Sequence, residues 1–151
     1  MSTETYNSLT IVLWTLTLLA GLATVTVYLF QLRAMHKAIR AQNLAWLVQY
    51  LQAPNEREAR HIVLTQIRTT LSPGEWHPDH RRAAGTACAA YSIAAVFVEL
   101  NRVDKDVIVN NWGPSIWAVG KVCEHYIADQ RRQMGEAYWR ALAALIKELG
   151  D

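Results

Sequence analysis

The chain has 151 residues, 52% of them hydrophobic, and sets 15 lysines and arginines against 13 acids for a formal charge of +2. That balance is too mild, and its cations too scattered, for a nucleic-acid surface, so no nucleic-acid partner is expected. The two cysteines, Cys88 and Cys123, lack CxxC spacing and read as small buried hydrophobes rather than zinc ligands or a redox motif.

In chain order, the first element is the clearest. Leu9 to Leu32 carries no charge, and Arg33, His36, Lys37 and Arg40 follow at once. Those 24 residues make about 36 Å of helix, enough to cross a hydrocarbon core of about 30 Å with some tilt. All cations lie after the run, and Glu4 is the one charge before it. The positive-inside rule then places residues 1–8 outside, a transmembrane helix over 9–32, a juxtamembrane helix over 33–53, and a cytoplasmic helical domain over 54–151. A cleaved signal peptide is the competing reading, but it would want a basic start and a shorter apolar core. The basic collar is placed to meet anionic headgroups of the bilayer. Within the span, Thr17, Gly21 and Thr24, with Ala20 one step round, form a small-residue stripe that would let a second helix approach. The alternative is that their hydroxyls simply bond to the preceding turn. Trp14 and Tyr28 sit towards the two ends, as interfacial aromatics do.

No Gly or Pro interrupts the pattern after Arg33, so the helix is expected to run on, or to bend at the collar, and to end near Gln52 before Pro54. A second helix, Asn55 to Leu71, opens with acids and carries Ile62, Val63, Ile67 and Leu71 as its stripe; Ser72-Pro73-Gly74 closes it. An Ala-rich helix follows over Asp79–Asn101. Its uncharged stretch 83–98 is short for a membrane span and reads as a central core helix. A turn at Val103–Asp106 leads to a short helix ending near Asn111. Trp112-Gly113-Pro114-Ser115 is a second turn, and a helix from Ser115 to about Gln130 puts Ile116, Val119, Val122, Cys123 and Tyr126 inward. The last helix, Gly135 to Leu149, aligns Trp139, Leu142, Ile146 and Leu149. No segment alternates at period two, so the fold class is all-α, a single transmembrane helix followed by a small helical bundle.

Candidate sites are few. Glu75, His77, Asp79 and His80 are the densest metal-capable set, but Pro78 divides the histidines and no second ligand cluster matches, so a polar loop is the favoured reading. No catalytic, cofactor or metal residues are expected, and no cofactor. Asp104 and Asp106 lack the rest of an EF-hand and read as helix starters. Glu99 and Arg102 read as a helix-surface pair. Glu124 and His125 point apart, and Ser92 and Ser115 lack a nucleophile elbow. Five tryptophans follow the span (Trp46, Trp76, Trp112, Trp117 and Trp139). They read as core, with Trp112, Trp117 and Trp139 the candidates for either an aromatic core or a partner surface.

The anchor and collar, Asn55-Glu56-Arg57-Glu58-Ala59-Arg60, the segment Leu100 to Ile108, and the closing Arg131…Gly135…Tyr138-Trp139…Leu142 resemble the domain of unknown function 4760 family of small bacterial proteins. The resemblance covers roughly residues 10–149 and implies a membrane-anchored helical domain with no assigned activity. The expectation is a non-enzymatic, single-pass protein of the bacterial inner membrane. Its cytoplasmic domain would bind another membrane or cytoplasmic protein, or a second copy. The alternatives are an accessory subunit of a larger membrane complex, a metal-dependent hydrolase using His77 and His80, and a sensor that holds a small molecule, of a kind the sequence does not identify, between its helices.

Overall fold

The computed structural model describes residues 3–68 and 73–150. Among them are six α-helices and no strand, so the all-α expectation holds. The chain divides into two compact units, Met1–Ile39 and Arg40–Asp151.

Helix α1 spans Thr3–Leu51. In the first unit its apolar side chains point outward, with Leu13 56%, Trp14 73% and Phe30 65% exposed. Four threonines hand their hydroxyl protons back to the carbonyl four residues earlier: Thr15 to Ile11 (2.7 Å), Thr17 to Leu13 (2.9 Å), Thr24 to Ala20 (2.8 Å) and Thr26 to Leu22 (2.8 Å). Each of these bonds is internal to the helix, so these hydroxyls are satisfied without a partner outside it.

The second unit begins with the end of α1, where Leu47 and Leu51 are fully buried. Ala53 is extended (φ −59°, ψ 146°), as the residue before proline must be, and α2 runs from Pro54 to Ile62 with the proline at its first position. The helix does not continue regularly towards Leu71: Val63–Ile67 form a π turn. Val63 and Ile67, one turn apart, are both buried in the core, as their spacing predicts. Leu71 and Ser72 lie outside the described residues.

Helix α3, Pro78–Glu99, is the centre of this unit and packs on α2, α4 and α6. Ala83, Ala84, Ala87, Ala90, Ala94 and Ala95 are buried along it. Small side chains let several neighbours approach one helix at once, which explains an uncharged run too short to span a bilayer. It ends in a Schellman motif. Arg102 N–H donates to Phe97 O (2.8 Å) and Asn101 N–H to Val98 O (2.9 Å), with Asn101 left-handed at φ 53°.

Helix α4 departs from the sequence reading. It is one helix, Lys105–Val122, running through Gly113 and Pro114 without a turn. Asp104 starts it by accepting from Asp106 N–H (3.2 Å). Pro114 cannot bond the carbonyl of Asn110. Both residues face solvent, however, so water can satisfy that carbonyl, while Ile108, Gly113, Ile116 and Val119 bury the opposite stripe. The break comes instead at Cys123 (φ −94°, ψ 9°), after which α5 covers Glu124–Met134.

The final helix, α6, starts at Arg140 rather than Gly135 and ends at Gly150. Gly135 takes φ 102°, open to glycine at little cost, and Arg131 donates from Nε (3.2 Å) and Nη2 (3.0 Å) to Glu136 O, fixing a turn before the helix. Trp139 caps α6 from a left-handed φ of 52°, its carbonyl accepting from Ala143 N–H. Its ring is 9% exposed and stacks on Tyr138 with centroids 4.7 Å apart. Glu99 pairs with Arg140 of α6 (2.9 Å) rather than with Arg102, and Lys105 pairs with Glu148, so α6 is tied to α3 and to the start of α4.

Candidate functional site

Where α4, α5 and α6 meet, they leave a cleft of about 630 Å³. Ile127, Ala143 and Ile146 floor it, Trp117 stands 40% exposed at its edge, and Lys121, Arg131 and Lys147 rim it, with Glu124 the one carboxylate present. Lys121 Nζ is 4.0 Å from Glu124 Oε2, a loose exposed contact, and Arg131 spends Nε and Nη2 on the backbone of Glu136. Lys147 makes no ion pair among the described residues. Gly120 sets the floor's depth, because a Cβ there would collide with Ile146 and push α4 from α6.

A second surface is aromatic. Trp46 stacks on Tyr50 (5.4 Å, 2° between planes) and on Phe97 (5.5 Å, 14°), yet is itself 47% exposed. Val96 and Leu100 beside Phe97 are 37% and 60% exposed. Val96 and Phe97 also border a shallow hollow whose other side includes Tyr138 and Trp139.

The candidate residues separate. Trp139 is core and Trp112 half-buried against it, whereas Trp117 lines the cleft. Trp76 is buried too, so Trp46 and Trp117 are the two tryptophans of the expected core that the structure turns outward. His77 and His80 lie with ring centroids 6.4 Å apart, edge to face, and His77 Nδ1 is 3.5 Å from Asp79 Oδ2 at the start of α3. Among the described residues, no three His, Cys, Asp or Glu side chains are grouped so that they could hold a metal ion. Thr17 and Thr24 bond their own helix, and a Cβ added at Gly21 would meet no atom within 4 Å.

Three features had no signal in the spacing of the sequence. Arg60 donates from Nη2 to Leu51 O (2.6 Å), capping the end of α1, and lays its guanidinium 5.6 Å from the Tyr91 ring centroid. Tyr91, fully buried, donates to Ser115 Oγ (2.6 Å) and so joins α3 to α4. Cys88 and Cys123, 35 positions apart, meet in the core, where the hydrogen bond that the Cys88 thiol makes to the Cys123 side chain, and then burial, push the Cys88 thiol well above its ordinary range. Thiols so placed are poor nucleophiles.

Residues 18–149 match the family described as Domain of unknown function (DUF4760), and the chain belongs to that family. No curated protein and no solved structure matches it. One helix among the described residues, over Thr10–Leu51, is long and apolar enough to cross a membrane, a test that a signal sequence near an N-terminus also passes.

Proposed function

We propose that this is a non-enzymatic membrane-anchored adaptor: α1 is an uncleaved anchor with its N-terminus outside, and the helical unit in the bacterial cytoplasm docks another protein or a second copy. The observation that carries the reading is the contrast between the two units. The side chains of residues 11–32 are outward and uncovered, while the second unit buries a full core and still leaves Trp46, stacked on Tyr50 and Phe97, exposed, with Val96 and Leu100 exposed on the stretch that carries Phe97. Aromatic ledges of this kind supply the anchors of protein interfaces. The basic collar and the cation-free N-terminus support the orientation.

A second reading, an accessory subunit within a larger membrane complex, is favoured by the open face at Gly21. Thr17 and Thr24 present methyl groups there because their hydroxyls are engaged within the helix.

A photoreactive amino acid at position 46 or 100, with cross-linking in intact cells, tests the docking. Position-specific adducts of one mass support it. Adducts no different from those of a probe at exposed Arg82 would remove the ledge from the account.

A further inference from the structure

We propose that the cleft between α4, α5 and α6 is a binding site for a small anionic amphiphile, a compact apolar body bearing one carboxylate, sulfonate or phosphate. The inference is independent of what the aromatic ledge docks. The cleft's size suits such a molecule: about 630 Å³ lies within the range of small-ligand pockets, and it is far too small for a folded partner. Its floor of Ile127, Ala143 and Ile146 offers no charge and would take the apolar body, with the exposed Trp117 ring closing one side. Among the described residues its rim carries three cations, Lys121, Arg131 and Lys147, and one carboxylate, Glu124. Glu124 is only loosely engaged by Lys121, and among the described residues Lys147 makes no ion pair. An anion at the rim therefore completes an arrangement that the fold leaves open, and a cation or a neutral molecule does not. Gly120, in the last turn of α4, is what lets Ile146 seat against that helix at the cleft floor.

The test uses the full-length chain in zwitterionic lipid nanodiscs, with empty discs subtracted. Two fluorescent probes of nearly one skeleton are compared: anilinonaphthalene sulfonate, an anion, and phenylnaphthylamine, which lacks the sulfonate. The expected result is saturable binding of the sulfonate with energy transfer that falls on Trp117→Phe. Lys121→Gln/Lys147→Gln should weaken the sulfonate about fivefold and leave phenylnaphthylamine unchanged. Ala128→Leu, at an exposed position on the cleft lining, should block both probes without disturbing the fold. Equal binding of the two probes, or a sulfonate affinity indifferent to both the lysine and the Ala128 variants, would overturn the proposal.

Discussion

Gly120→Ala should destabilise the helical unit although alanine is the better helix former. The new Cβ would lie 2.5 Å from Ile146 Cδ1, 2.7 Å from Cγ1 and 2.9 Å from Cγ2. Ordinary carbon contacts sit near 3.5–4.0 Å, so the overlap is about 1 Å and involves the whole branched side chain rather than a flexible tip. Ile146 is stiff at χ1 and cannot swing aside, so α4 and α6 must part. Overpacking of this kind costs about 1–3 kcal/mol, and the helix-propensity gain returns about 1 kcal/mol, leaving a net loss of about 1 kcal/mol or somewhat more. The Tm should drop by roughly 5 °C. The decisive comparison is the Ile146→Ala background, where the obstacle is gone and the same change should stabilise by about 1 kcal/mol. The coupling between the two positions is then about 2–3 kcal/mol. Urea unfolding of the four proteins, followed by tryptophan fluorescence, measures it. A stabilising Gly120→Ala in the parent, or a coupling under about 0.5 kcal/mol, would refute the close approach of α4 to α6.

Four further outcomes are expected. Pro114→Ala should raise stability by about 1 kcal/mol, because it restores the bond to the Asn110 carbonyl on a continuous helix; a loss would return residues 112–115 to a turn. Trp139→Ala should cost roughly 3–5 kcal/mol in denaturant unfolding, and a change under about 1 kcal/mol would place the ring on the surface. Arg60→Ala should cost about 1.5–3 kcal/mol through the lost cap on Leu51 and the lost packing on Tyr91, with Arg60→Lys rescuing little. The pH prediction concerns Tyr91, whose phenol is pushed above its ordinary 10.0 by burial, with Ser115 and Arg60 pulling the other way. The folded state therefore holds that proton more tightly than the unfolded chain. Its contribution is intact below pH 10 and fades as pH climbs through 10 towards the folded value. Tyr91→Phe should flatten the alkaline fall in urea midpoint between pH 9 and 11, and an unchanged slope would contradict this.

What the sequence revealed, it revealed through local chemistry. Pro54 and Pro78 marked helix starts because a proline at the first turn lacks only an N–H that would be unpaired anyway. Asp104 announced its cap, and the charge-free run 9–32 announced an outward apolar helix. Gly113-Pro114 misled, because the rule that proline ends a helix assumes that the freed carbonyl is costly. Here it faces solvent, and the buried stripe from Ile108 to Val119 decides. The start of α6 was missed for a similar reason. Trp139 continues the apolar spacing of Leu142 and Ile146, yet it reaches the core from a left-handed cap. The pairing of Cys88 with Cys123, the Arg60 cap and the Glu99–Arg140 bridge depend on how distant helices pack. Periodicity within one segment carries no such information. The cleft belongs to the same group: Gly120, Lys121, Arg131 and Lys147 lie on three helices and form no motif along the chain.

Native mass spectrometry of the chain released from membranes in mild detergent tests the central claim most directly, since it reads processing and assembly together. The account predicts an uncleaved 17.1 kDa chain in a stoichiometric assembly with another protein or a second copy. A chain shortened by removal of the apolar run, or a full-length chain that is monomeric at every concentration and binds nothing, would contradict it.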